Sequence, residues 1–354
     1  MTTAHSAPRA ASAACLLFAA LSAGIRAETV TAEPDAFLDY IEATGTQYID
    51  TGVNAETGLK ARIDFAPGAG TGDAAIPPPA VAARVALVGV DGLGARWIPW
   101  DVMPNLARLR DEGLYVVARC GYPTLSAPNW TSIFTGVPIE LHGTRNNSGA
   151  PVVEPWGGEN PASGACVFSE IRKQEPDAFT ASAFAWKGVG WCHGTNAVDA
   201  ARHFGGTAGE YAGRDASAVD WALSHLPRNP RLALYYQGQV DMAGHRFGWG
   251  SPEYTNACRN VDANIGRIVE AYRTAGLWDD TVLLLVADHG GHGKTHGDAT
   301  IECFEIPFLV SGGASRRLRL REPVMAMDVA PTILSLLGLD VPDAMRGRPA
   351  ALPR

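Results

Sequence analysis

The segment 282–297 constrains this chain more than any other. A continuous apolar run, 282–287, breaks into Asp288-His289-Gly290-Gly291-His292-Gly293-Lys294-Thr295-His296-Gly297. The run is too short for a helix, shows no alternation, and reads as a strand buried on both faces. Two further runs share the plan: 85–90 ends in Asp91-Gly92, and 232–236 reaches Asp241 a few residues later. Helical stretches are expected over 103–112, 216–226, 252–275 and 328–337. This order predicts an α/β sandwich, a mostly parallel central sheet with helices on both faces and right-handed crossovers. Ligands of such sheets bind beyond the carboxyl ends of the strands. Asp91 and Asp288 stand at that edge, with Asp241 close behind.

The loop after the third run offers one Asp, three His and four Gly within 288–297. Burying so much polarity for packing alone is costly. Asp241 and His245 lie four residues apart, which lets both face one way on a turn of backbone, and Gly244 allows a tight bend there. Carboxylate oxygen and imidazole nitrogen are good zinc ligands. Three Asp and three His at strand ends suit two divalent cations, zinc first, better than one. His292 either faces solvent or orients a ligand from behind. The stretch Pro123-Thr124-Leu125-Ser126-Ala127-Pro128-Asn129-Trp130 reads as a loop entering a helix. Ser126 can cap that helix. The same position, at a helix N-terminus rich in free N–H groups, also suits a metal-bound serine nucleophile.

The remainder of the 354 residues carries less chemistry. With a formal charge of −8, no basic stretch is long enough to track a nucleic-acid backbone, so sequence-specific nucleic-acid binding is not expected. The densest basic run, 316–321, is interleaved with apolar residues and reads as a solvated strand or loop edge. Residues 1–27 have the layout of a signal peptide: Arg9, a short apolar run, then small residues. Export to the periplasm or beyond is the expectation, and no segment is apolar for long enough to span a membrane. Residues 28–65 resemble the opening of a laminin-G-like jelly roll, too short to be complete. Residues 66–83 have linker composition. Five cysteines would remain after cleavage, and an exported protein can pair four of them. No CxxC pair is present, which argues against a thiolate zinc site.

Taken together, these motifs resemble the alkaline phosphatase superfamily, and within it the type I phosphodiesterase/nucleotide pyrophosphatase branch. The resemblance runs from about 84 to 345 and rests on Asp91-Gly92, Pro-Thr-x-Ser-x-Pro-Asn at 123–129, and Thr135-Gly136 through His142-Gly143. It continues through Asp241-x-x-x-His245, Asp288-His289-Gly290 to His296, and the tail 327–334. It implies an alkaline-phosphatase-like catalytic domain over 84–354. It also implies that Asp91, Ser126, Asp288 and His289 hold one metal and Asp241, His245 and His296 the other. Ser126 would then attack phosphorus in line to form a phospho-enzyme, which a metal-activated water releases. Asn147 matches the asparagine that binds a phosphoryl oxygen in the family, with Asn146 as the alternative.

Two features depart from the pattern. The branch usually has threonine where Ser126 stands. Sulfatases use a C/S-x-P-x-R context; Ser126-Ala127-Pro128 fits, but Trp130 holds the arginine position. Lys187 and Arg145 can supply the positive charge a monoester dianion needs. Trp186, Trp191, Tyr236, Phe247 and Trp249 can supply an apolar wall for the second substituent of a diester. The expected substrate is a small phosphate ester or nucleotide, diester before monoester. A phosphomonoesterase, a sulfatase, a phosphomutase and a non-catalytic exported carbohydrate-binding or adhesion protein are the rivals.

Overall fold

The computed structural model describes residues 80–148, 166–207 and 210–353. The signal-peptide and jelly-roll readings of 1–65, and most of the linker, lie outside the described residues. The linker's last residues already belong to the folded part. Val81 and Ala82 donate backbone N–H to Leu336 O, and Ala83 to Asp280 O.

Seven strands form the central sheet: β1 Arg84–Val90, β2 Leu114–Arg119, β3 Thr180–Phe184, β4 Ala200–His203, β5 Leu232–Gln237, β6 Thr281–Val286 and β7 Glu305–Ser311. Their spatial order is β2-β7-β6-β1-β5-β3-β4. The pairs β1–β5, β1–β6, β3–β5 and β3–β4 are parallel; β7 runs antiparallel to both neighbours. The three apolar runs are thus the three adjacent central strands, β5-β1-β6, and every residue in them is buried. Each fully buried Leu or Val there contributes roughly 1.5–3 kcal/mol of transfer free energy. Pairing Val85 with Leu232 and with Val282 sets the register that brings Asp91 and Asp288 to one edge.

Sequence patterning missed β2, β3, β4 and β7. β2 and β4 are partly exposed, β4 with only four residues, and β7 contains Pro307, which weakens any strand reading.

The helices that matter for the site are α1 Pro104–Glu112, α2 Ser126–Thr135, α3 Val167–Gln174, α4 Gly188–His193, α5 Tyr211–Leu223, α6 Gln239–Phe247, α7 Pro252–Thr274 and α8 Val329–Leu337. The helix expected over 216–226 starts five residues earlier and gives way to a 3-10 turn, Leu226–Arg228, at Pro227. α7 begins where its sequence says it should. Ser251 Oγ accepts from Tyr254 N, and Pro252 occupies the first helical turn. The basic run forms a 3-10 turn and the edge strand β8 Leu318–Leu320, paired with β9 Ala351–Pro353 and with Arg319 outward. All five cysteines among the described residues are buried free thiols, so the pairing open to an exported protein is not made among them. Among the described residues, no helix is long and apolar enough to cross a membrane.

Candidate metal centre and nucleophile

Asp91 follows β1, and Asp288 and His289 follow β6, so strand register alone sets them side by side. The sharp turn after Asp91 needs Gly92, whose φ is +70° and where a Cβ would stand 2.8 Å from Asp241 Cα. That clearance lets α6 approach the strand end. Asp215, wholly buried on α5, anchors α6 by accepting from Gly238 N and Gln239 N. Burial pushes the Asp215 carboxyl up to about 7, against the lowering pull of those two N–H groups. Asp241 and His245, one turn apart on α6, meet with Nε2 3.5 Å from Oδ1. Gly244 does not bend the chain as expected, because it lies within the helix. It instead leaves room for Trp249, 2.8 Å from where its Cβ would be.

Ser126 is the first residue of α2 and makes no capping bond; Oγ lies 3.2 Å from His289 Nε2. The loop that presents it is braced by Asn129. Its Nδ2 reaches the carbonyls of Gly121, Pro123 and Leu125, and its Oδ1 accepts from Gly121 N. His289 Nε2 is also 3.3 Å from Asp288 Oδ2 and 3.5 Å from Asp91 Oδ1. His296 Nε2 is 3.7 Å from Asp241 Oδ1 and 3.1 Å from His245 Nε2, and its ring stacks on His289 with centroids 3.7 Å apart. Two overlapping triads result, Asp91–Asp288–His289 and Asp241–His289–His296.

The donor atoms are oriented for cations. Among the described residues, each carboxylate has one buried oxygen with no hydrogen-bond partner: Asp91 Oδ1, Asp241 Oδ1 and Asp288 Oδ2. These are the oxygens that face the imidazoles. The remaining oxygens of two of them are tied down, Asp91 Oδ2 by Tyr236 OH and Trp130 Nε1, and Asp288 Oδ1 by Gly92 N. The histidines are fixed from behind. Nδ1 of His289, His296 and His245 lies 2.8, 2.8 and 3.2 Å from the carbonyls of Gly290, Thr124 and Lys294. A carbonyl only accepts, so Nδ1 carries the proton and Nε2 presents its lone pair to the centre. Two such lone pairs 3.1 Å apart, on His245 and His296, repel unless a cation lies between them.

The electrostatics agree. Burial, reinforced by the other carboxylates, holds the Asp241 and Asp288 pKa values well above the usual carboxylate range. Burial also raises Asp91, although Tyr236 and Trp130 pull it back. Burial lowers His289 and His296 to about 3, which keeps both rings neutral. Three crowded carboxylates and neutral imidazoles are what divalent ions need. The oxygen and nitrogen donor set fits zinc.

Other expected residues have mixed placements. Asn147 Oδ1 accepts from Ala127 N at 2.8 Å, so its side chain sits at the α2 N-terminus beside Ser126. Asn146 instead turns to Ser148. Arg145 and Lys187 are exposed, and neither joins the carboxylate–imidazole cluster; Lys187 Nζ lies 5.3 Å from the Trp191 ring centre. His292 pairs with Asp298. Tyr236 and Trp249 are buried and spent on Asp91 and on Gly92 O, so they offer no substrate wall. Phe247 is exposed. Sequence reasoning missed Thr124, Asn129, Trp130 and Tyr236 as supports. Only the proximity of Thr124, Asn129 and Trp130 to Ser126 in sequence hinted at a role.

A family model for type I phosphodiesterase/nucleotide pyrophosphatase matches residues 85–321. Ectonucleotide pyrophosphatase/phosphodiesterase family member 3 of Rattus norvegicus is 27% identical over 220 residues, 58% of this chain and 24% of that protein. A bis(5'-adenosyl)-triphosphatase of Mus musculus is 27% identical over 225 residues, 59% of this chain and 47% of that protein. The chain therefore matches a quarter to a half of the length of these relatives. Among solved structures, a 2-O GAG sulfatase superposes with a TM-score of 0.59 at 14% identity, covering 75% of this chain and 73% of that chain. A protein in the alkaline phosphatase superfamily from Vibrio parahaemolyticus gives 0.52 at 17% identity, covering 78% and 73%. These structural likenesses speak to the fold.

Proposed function

The chain belongs to the type I phosphodiesterase/nucleotide pyrophosphatase family, with an alkaline-phosphatase-like fold, and from that premise we propose that it hydrolyses phosphoric esters through Ser126 and two divalent ions. The observation that carries the reading is the convergence of three unpartnered carboxylate oxygens and three imidazole Nε2 atoms at the strand ends, with the Ser126 hydroxyl 3.2 Å from His289 Nε2. Asp91, Ser126, Asp288 and His289 would hold one ion, and Asp241, His245 and His296 the other. Bound there, zinc supplies Lewis acidity toward the phosphoryl oxygens and lowers the pKa of a coordinated hydroxyl.

The protein's own groups do the rest. Ser126 Oγ gives up its proton to solvent and attacks phosphorus in line; the P–O bond to the leaving group breaks on the opposite side, the departing alkoxide takes up a proton from solvent, and water later hydrolyses the phosphoserine to release the phosphate product and restore the serine. α2 directs its positive dipole end at the transferring group. The Asn147 amide is fixed by chemistry: Ala127 N–H must meet oxygen, so Nδ2 is the end left to donate to a non-bridging phosphoryl oxygen. Asn147→Ala is expected to lower kcat/KM roughly 100-fold with metal content unchanged. An equal loss of bound metal would assign Asn147 a structural role instead.

Diesters and nucleotides are the preferred substrate class, on the family match. Trp130 weakens the sulfatase alternative, because at the position of the sulfatase arginine it is buried and donates to Asp91. Export is the corresponding location, supported by the N-terminal sequence pattern. The test is metal content measured together with hydrolysis of a bis-aryl phosphate, p-nitrophenyl phosphate and p-nitrophenyl sulfate. Two zinc per chain at this centre with diester preference is expected. Monoester preference would turn attention to Lys187 and Arg145, and sulfate turnover alone would overturn the substrate class.

A further inference from the structure

His292, Asp298 and Cys303 form a second cluster of ligand atoms, outside the centre described above. His292 Nε2 lies 2.9 Å from Asp298 Oδ2, and Cys303 Sγ lies 3.2 Å from Asp298 Oδ1. One nitrogen, one oxygen and one sulfur thus fall within 4.8 Å of one another. Cys303, on the one-turn helix Ile301–Phe304, is wholly buried and forms the floor. The His292 and Asp298 side chains, 38% and 52% exposed, form an open mouth through which an ion can enter.

We propose that these three residues bind a further divalent cation of borderline-soft character, zinc being the natural match. Three protein donors of mixed N, O and S type leave a fourth tetrahedral position for water. A sulfur ligand disfavours magnesium and calcium, which take oxygen donors. Binding releases the Cys303 S–H proton to solvent, and the thiolate becomes the ligand. The lack of a CxxC pair argued against thiolate ligation, but that reasoning covers only cysteines close in sequence. Here the fold closes the 292–303 loop so that three unlike residues meet.

The site is joined to the catalytic machinery through Thr124. Thr124 Oγ1 donates to Asp298 O at 2.9 Å and accepts from Gly297 N at 3.0 Å, while Thr124 O accepts from His296 Nδ1 at 2.8 Å. Thr124 stands two residues before Ser126. An ion on Asp298 therefore pins the turn that orients both His296 and the nucleophile.

The binding claim is independent of the phosphohydrolase reading, and one experiment separates them. The full chain is stripped with a chelator, reloaded with Co(II), and followed by absorption and by metal analysis. The main centre offers only oxygen and nitrogen donors, so a thiolate-to-cobalt charge-transfer band in the near ultraviolet reports a cysteine outside it, which the Cys303→Ser variant identifies. Cys303→Ser and His292→Ala are each expected to lose one equivalent of metal, and Cys303→Ser to lose the band. Asp241→Ala should lose one equivalent and keep the band. His292 lies at the rim, so its variant reports even if Cys303→Ser fails to fold. Absence of the band in the loaded wild-type chain overturns the proposal, as does a band that survives in Cys303→Ser or an unchanged metal content in His292→Ala. A chain that binds a single ion, with the band, would support this site and sink the two-ion centre.

Discussion

Replacing Ser126 with alanine is expected to lower kcat/KM by roughly four orders of magnitude or more while the metals stay bound. The expectation follows from how little else depends on the hydroxyl. Ser126 does not cap α2, and among the described residues its hydroxyl meets a hydrogen-bonding partner only at His289 Nε2. None of the six other assigned ligands is anchored by Oγ, and Asp91, Asp288, His245, His289 and His296 keep the hydrogen bonds that orient them when it is removed. Metal analysis and kinetics on the same preparation make the check, with circular dichroism to show that the fold is intact. Full activity in the alanine variant would remove Ser126 as the nucleophile. Loss of metal with loss of activity would leave the nucleophile unassigned and make Ser126 a ligand first.

Asp241→Ala carries the second largest effect, the loss of one ion and with it most turnover, because Asp241 Oδ1 is the only assigned carboxylate oxygen beside His245 and His296. The same substitution has an opposite effect on the metal-free protein. Asp91, Asp241 and Asp288 all have folded-state pKa values above that of an unfolded aspartate, about 4. The folded state then binds more protons than the unfolded one. The share of metal-free stability due to these carboxylates is therefore greatest below about pH 4 and is lost as pH rises toward the folded values, while His289 and His296, lowered to about 3, give the opposite slope up to the ordinary histidine value of about 6.5. Bound cations remove that penalty. The melting temperature of the chelated wild-type chain should fall as pH is raised above about 6.5, where the histidines no longer contribute, that of the metal-loaded chain should not, and chelated Asp241→Ala should melt above chelated wild type at neutral pH. Unchanged metal content in the variant would take Asp241 out of the centre. A chelated wild-type chain whose melting temperature does not depend on pH would show that these carboxylates are not crowded as described.

Much of this was legible in the sequence because it is local or periodic. The apolar runs 85–90, 232–236 and 282–287 have no polar face, so they had to become strands covered on both sides, and their carboxyl ends had to be the ligand edge. Asp91, Asp288 and His289 follow directly, and the order of motifs supplied Ser126, Asp241, His245, His296 and Asn147. Gly244 was misread because its reason for being small is Trp249, a contact made in space. The edge strands were missed because their residues are held by neighbours on one side only, which leaves a weak pattern.

The sequence by itself determined the kinds of donor atom and the strand ends that deliver them, since burial and chain continuity leave little choice there. Tertiary structure alone decided which atom of each donor faces the centre. Tyr236 and Trp130 turn Asp91, three backbone carbonyls fix the tautomers of His245, His289 and His296, and Asp215 anchors the helix bearing Asp241. Tertiary structure also gathered His292, Asp298 and Cys303 into one cluster. The physical reason is the same in each case. Hydrogen bonds between residues distant in sequence have no periodicity, so they are chosen only when the fold brings the groups within about 3 Å.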